Sequence, residues 1–242
     1  MKTLPLKLIP VVDHSGPRVV PHRHHTRTVS QVIILVAHQK GGVGKSTIAV
    51  NIAVEFTSKG KSVIIVEADP TVKTSSTWAK DREDSGYSPI TTVRQTGNLR
   101  GTLLDLADKY DVVIVDAPGK DSSEMRTAMT AADLMLVPIP PSQPDLDTTE
   151  SLVVTINQAR DFNPDLKALA VLNRVPTNVF SDSDAEARTY LADFPELRIA
   201  RAKLHERKVY QTSVSEGLGV VEMKDSKAKR EIQLLTEEVL AW

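Results

Sequence analysis

Apolar positions along this chain fall into two recurring patterns. Short apolar runs occur at Val32 to Ala37, Ser62 to Val66, Val112 to Val115, Leu134 to Val137 and Lys167 to Leu172. A strand covered on both faces has no polar side to show, so such runs predict buried parallel strands. Between them, apolar residues recur three or four apart: Ile48, Ile52, Ala53 and Phe56; then Leu99, Leu103, Leu104 and Leu106; then Ile232, Leu235, Val239 and Leu240. That spacing lays an apolar stripe along one side of a helix. Further helices are expected over Thr71 to Asp84, Leu146 to Arg160, from Ser181 or Asp182 to about Phe194, before a break at Gly217, and over Ser226 to Leu240. Trp78 is expected to be a packing residue. Ile90 to Arg94 and Leu197 to Ala200 read as the remaining strands, and Gly60 closes the first helix. Strands alternating with helices predict an α/β fold: a doubly wound, mostly parallel sheet with helices on both faces.

The chemistry concentrates where strands end. The first run leads into Lys40-Gly41-Gly42-Val43-Gly44-Lys45-Ser46-Thr47. Its glycines let backbone amides approach a ligand closely. The helix that follows offers unpaired N–H groups and a partial positive charge, which together suit phosphate. Lys45 would reach the phosphates and the Ser46 hydroxyl would ligate Mg²⁺. The second strand ends in Glu67-Ala68-Asp69-Pro70, with Asp69 able to cap a helix begun at Pro70. The fourth ends in Asp116-Ala117-Pro118-Gly119, an acid placed to hold Mg²⁺ through water. Later, Pro138-Ile139-Pro140-Pro141-Ser142-Gln143-Pro144-Asp145 makes a stiff loop, and the Lys167 run delivers Asn173-Arg174.

The strict P-loop pattern wants glycine at position 39, where this chain has Gln39. With its second lysine at Lys40, the loop resembles the deviant Walker A motif of the ParA/MinD (SIMIBI) ATPases. The resemblance covers residues 32–242 and is greatest to small ParF-like ParA partition ATPases. It implies ATP or ADP with Mg²⁺ as ligands and weak ATPase activity. Catalytic roles fall to Lys40, Lys45 and Asp69, with Asp69 orienting the attacking water. Gly41, Gly42, Val43, Gly44, Lys45, Ser46, Thr47, Asp116, Gly119 and Asn173 would hold the nucleotide, Asn173 at the adenine edge. Ser46, Asp69 and Asp116 would serve the metal. Glu67 departs from the family's usual Asp, and its extra methylene shifts its reach toward the Mg²⁺ shell by about 1 Å. The family mechanism implies a homodimer closed over two ATP molecules, with Lys40 crossing to the partner's phosphates.

Charge changes the picture at two places. Formal net charge is −1. Residues 1–31 carry Lys2, Lys7, Arg18, Arg23 and Arg27 against Asp13, and residues 201–230 carry eight cations against four acids. Each segment is +4, so the remainder is −9. Basic ends on an acidic body suggest contact with a polyanion. Arg201, Lys203, Arg207, Lys208, Lys227, Lys229 and Arg230 are the candidates for nonspecific DNA binding. Residues 1–31, with His14, His22, His24 and His25, read as a solvated basic arm outside the resemblance. With no cysteine, a disulfide scaffold, a thiolate zinc site and a cysteine-held iron–sulfur cluster are excluded. No apolar run nears the ~18 residues of a membrane span, and the N-terminus lacks a secretory signal, so a cytoplasmic protein is expected, and the resemblance implies that it is nucleoid-associated. The acidic C-terminus lacks the basic membrane helix of MinD-type proteins. The implied function is DNA segregation, with a centromere-binding ParB/ParG-like partner stimulating hydrolysis. The alternatives are positioning of a protein cargo, or a metabolic P-loop ligase or kinase.

Overall fold

β1 (Val32–Val36) shows how the chain builds its core. Ile33 and Leu35 face one apolar cluster while Ile34 and Val36 face another, all fully buried. A strand with both faces apolar needs cover on both sides, and the protein supplies it. The computed structural model describes residues 31–178 and 181–241. Residues 1–30 of the expected basic arm, with its four histidines, lie outside the described residues.

Seven strands form one sheet: β1, β2 (Val63–Glu67), β3 (Thr91–Arg94), β4 (Val112–Asp116), β5 (Leu134–Ile139), β6 (Lys167–Val175) and β7 (Arg198–His205). Their order is β3-β2-β4-β1-β5-β6-β7, and every pairing is parallel. One face is covered by α1 (Lys45–Ser58), α2 (Thr74–Asp84), α8 (Lys208–Ser215) and α9 (Ser226–Leu240). The other is covered by α3 (Arg100–Ala107), α4 (Ser123–Met129), α5 (Gln143–Leu146), α6 (Thr149–Arg160) and α7 (Ser183–Leu191). This is the doubly wound architecture read from the alternation of runs and stripes. Trp78 is buried in the core and donates its indole N–H to Leu218 O at 3.0 Å.

Several boundaries differ from expectation for local reasons. The helix expected from Thr71 starts at Thr74, because Asp69 Oδ1 closes a turn by accepting from Thr71 N at 2.8 Å and Val72 N at 3.0 Å. Asp69 therefore caps no helix begun at Pro70. The helix expected over Leu146 to Arg160 is two, α5 and α6; Thr148 Oγ1 donates to Asp145 O at 2.7 Å at the junction. β7 runs on to His205, with Ala200, Ala202 and Leu204 buried at alternate positions. That alternation hid the strand from a search for unbroken apolar runs. Its backbone is sealed by α9: Glu238 accepts from Arg201 N and Ala202 N, and Glu231 from His205 N. Carboxylates so placed block the edge from pairing with another chain. Leu240, expected in the core, is half exposed, since Val239 already fills the inward position.

Candidate functional site

Register brings the strand-end acids together. Val36 and Glu67 both pair with Asp116 in the sheet, so β1, β2 and β4 end at one level. Crevices at the carboxyl ends of such strands, where the order reverses, are where α/β sheets hold ligands. A cleft of about 460 Å³ opens there, lined by the glycine loop, Lys45, Ser46, Asp69, Asp116 and Gly119 among others. Gly44 caps α1 at φ 94° with no side-chain hydrogen bond, leaving the first-turn N–H groups open. An added Cβ there would overlap Asn173 Nδ2, so the loop tolerates only glycine. A Cβ at Gly119 would lie 2.7 Å from Gly41 Cα and 3.2 Å from Lys45 Nζ, so the two loops touch.

The two lysines of the loop sit in different environments. Lys45 is 7% exposed, and its Nζ donates to Lys40 O at 3.0 Å. Burial pushes its pKa down, opposed by the negative charges of Asp116 and Asp69. Lys40 stands at the rim with its side chain 40% exposed, and its Nζ pairs with Asp145 Oδ1 at 2.5 Å. The lysine expected to reach across a dimer is therefore held within its own chain. Burial raises the Asp145 pKa, but hydrogen bonds from Lys40 and Ser142 outweigh it and hold the carboxyl below its ordinary value.

His38 joins these parts, and the sequence reading missed it. It is fully buried, and burial, helped by the Lys45 charge, lowers its pKa to about 4, so the ring is neutral at pH 7. Its Nδ1 accepts from Lys40 N at 3.0 Å, which leaves the proton on Nε2, 3.4 Å from Thr148 Oγ1. Together with the Thr148 bond to Asp145 O, this closes a ring: Lys40, His38, Thr148, Asp145. Gln39 extends the same link, donating to Thr155 Oγ1 at 2.9 Å and accepting from Ser151 Oγ at 2.8 Å.

The acids divide the work. Asp116 is 4% exposed; burial lifts its pKa to about 6, against the opposing pull of the Ser75 hydrogen bond, the nearby Ser46 hydroxyl and the Lys45 charge. Its Oδ2 accepts from Ser75 Oγ at 2.7 Å, while Oδ1 has no hydrogen-bond partner among the described residues. Such an orphaned buried oxygen fits a hydrated cation better than it fits an apolar core. Asp69 is pushed up by burial, but bonds from Val72 and Thr71 prevail and keep it ionised below its ordinary pKa. Lys120, which the sequence reading passed over, adds a nearby positive charge and lines the cleft. Glu67 lines the cleft, but its carboxylate is engaged by the start of α2 and by Arg94. Its Oε1 accepts from Ser75 N at 2.9 Å, its Oε2 bonds Ser76 Oγ, and Arg94 Nε lies 3.4 Å away. The extra methylene makes Glu67 an anchor for the start of α2. Asn173 is 7% exposed and donates to Val43 O at 2.7 Å, so it braces the loop from β6. Thr47 O accepts from Asn51 Nδ2 at 2.8 Å, within α1.

Residues 34–220 match the family described as the CobQ/CobB/MinD/ParA nucleotide binding domain. The chain belongs to that family. It is 30% identical over 213 residues to the maintenance of carboxysome distribution protein A of Halothiobacillus neapolitanus, covering 86% of this chain and 95% of that protein. It is 29% identical over 167 residues to the chromosome-partitioning ATPase Soj of Thermus thermophilus, covering 57% of this chain and 67% of Soj. The septum site-determining protein MinD of Pyrococcus horikoshii, solved with Mg-ADP, superimposes with a TM-score of 0.67 at 21% identity, covering 86% of this chain and 95% of MinD. At that identity the likeness establishes the fold.

Part of the basic surface of this family member is paired within its own chain. Lys203 pairs with Asp184, Arg207 with Glu231 at 2.9 Å and Arg230 with Glu237 at 3.0 Å. Each of these three meets a carboxylate of its own chain, which competes with phosphate for the cation without removing it from the candidate patch. Arg201, Lys208, Lys227 and Lys229 have no side-chain ion pair among the described residues. No described helix is long and apolar enough to cross a membrane.

Proposed function

We propose that this chain is a Mg-ATP-dependent positioning ATPase that closes as a homodimer over ATP, binds DNA nonspecifically in that state and resets by hydrolysis. The observation that carries the reading is the pair of unlike lysines on one loop. Lys45 lies at the floor, suited to the phosphates of its own subunit's nucleotide. Lys40 lies at the rim, where a partner's phosphates would meet it. A fixed cation there stabilises charge developing during transfer.

Ser46 and Asp116 would hold Mg²⁺, with Asp69 beside them, and the unpartnered Asp116 Oδ1 supports that fit. The ion, when bound, neutralises phosphate charge. Asp69 is kept ionised by hydrogen bonds that all go to Oδ1. So weak a base orients a water molecule rather than abstracting its proton. Asn173, bound to the loop, would still have a second N–H and its oxygen for the adenine edge.

Lys40 can act across an interface only after leaving Asp145. Asp145→Asn should therefore raise the fraction of dimer formed with ATP, while Lys40→Ala should lose it; light scattering reads both. Equal dimerisation of wild type and Asp145→Asn would remove the restraint from the mechanism.

DNA binding is tested by titrating salt with ADP and with a slowly hydrolysed ATP analogue. With four unpaired cations per subunit, the dimer has eight. The logarithm of affinity should then fall with the logarithm of salt at a slope of up to about −7 from these eight, and only with the analogue. Binding indifferent to nucleotide would overturn the switch.

Two cargoes fit the cycle. Similarity to Soj favours DNA, with a centromere-binding ParB/ParG-like partner stimulating hydrolysis. The match along nearly the full length of a carboxysome distribution protein favours a protein cargo equally. Stimulation of ATPase activity by a partner only when its DNA site is present would select the first.

A further inference from the structure

We propose that Arg174 is a nucleotide-binding residue, a fixed cation that grips the phosphate chain where it passes from the glycine loop toward the base. The proposal rests on the reading of the cleft as a nucleotide site. Three observations carry it.

The first is backbone conformation. Arg174 has φ 56° and is the only non-glycine with positive φ among the described residues. An L-residue with a long side chain resists this left-handed region, which glycine or asparagine enters readily. The β6–β7 register is interrupted at the same place, between Leu172 and Val175. Asn173 and Val175 on either side stay buried, while Arg174 is turned outward and exposed. Strain of this kind persists where surrounding structure enforces it, and it clusters at ligand sites.

The second is position. Beside the main cleft lies a smaller cavity of about 50 Å³, bounded by Gly44, Thr47, His205 and Tyr210. Arg174 is the one charged residue that lines both spaces. Arg174 thus borders both the phosphate side of the loop and its far side.

The third is the absence of a competing partner. Among the described residues, no hydrogen bond or ion pair engages the Arg174 guanidinium. Its neighbour across the small cavity, Arg207, is by contrast held by two bonds to Glu231, at 3.0 and 2.9 Å. The same buried carboxylate accepts from Tyr210 Oη at 2.9 Å and bonds His205 Nδ1 at 2.8 Å, fixing that wall of the cavity. Arg207 is thus spent on structure, and no described residue competes with an anion for the Arg174 donors. Its planar fork suits phosphate oxygens, and it stays charged at any working pH.

The test is calorimetric titration of ATP, ADP and adenosine into wild type, Arg174→Gln, Arg174→Lys and Arg174→Gly, with Lys45→Ala as control. Arg174→Gln should weaken ATP and ADP by about tenfold, the loss typical of one charge-assisted bond, and leave adenosine unchanged. Arg174→Lys should recover part of the loss. Arg174→Gly should lose the same affinity while its urea midpoint stays level or rises, because glycine relieves the backbone. Unchanged ATP and ADP affinity in Arg174→Gln would overturn the proposal. So would an equal loss for adenosine, or a lower urea midpoint for Arg174→Gly that marks the residue as structural. If Lys45→Ala itself binds ATP like wild type, the nucleotide-site reading fails first.

Discussion

Lys45→Ala should lose ATP and ADP binding by at least about a hundredfold and keep its fold. The ammonium sits at the floor of the cleft, 7% exposed, and among the described residues its one hydrogen bond is to Lys40 O. Two charge-assisted contacts to phosphate oxygens supply roughly 3–6 kcal/mol, and alanine removes both. The free protein has little to lose, because burial already disfavours this charge, as its lowered pKa indicates. Titration calorimetry and a urea melt of the same sample separate the two effects. ATP affinity equal to wild type, in a folded variant, would place the phosphates elsewhere. One side effect is also expected. Asp116 loses a neighbouring cation, so its carboxyl should hold a proton to higher pH.

Asp116→Asn should make the nucleotide-free protein more stable while removing the Mg²⁺ dependence of nucleotide binding. The folded pKa is about 6 against an ordinary value of 3.8. At pH 7 the folded chain therefore keeps a carboxylate ionised in a place that disfavours it, at a cost of roughly 2–3 kcal/mol. Asparagine keeps an acceptor for Ser75 Oγ and carries no charge. The sign follows from the raised pKa. Between pH 4 and 6 the folded protein holds a proton that the unfolded chain has released, so wild-type stability rises as pH falls through that window. The variant lacks this dependence, so its advantage should be full above about pH 6 and gone below about pH 4. Urea midpoints across pH measure it. An asparagine variant less stable than wild type at pH 7 would mean that the carboxylate is a structural asset rather than a group held ready for a cation.

Much of the site was legible because neighbours in sequence build it. The run Val32 to Ala37, the glycines after it and Lys45 are contiguous, so strand, loop and helix start follow from local chemistry. Asp116 was legible for the same reason, as an acid ending an apolar run, and the alternation of runs and stripes was enough for the doubly wound sheet. The ends of elements were less so. Thr71 to Lys73 continue a helical pattern on paper, yet Asp69 takes their backbone into a turn.

The direction in which charged side chains point belonged to the tertiary structure. Lys40 meets Asp145 through the α5 turn, Glu67 turns to Ser75 and Arg94, and Glu231 claims Arg207. His38 becomes a neutral connector only because packing excludes water from it. Arg174 follows a buried Asn in sequence, and nothing in those letters announces its left-handed backbone. Local spacing specifies elements because helix and strand periods repeat over a few residues. The partner of a charge is chosen instead by which distant elements the packed sheet brings within a few ångströms, and by how much water that packing removes.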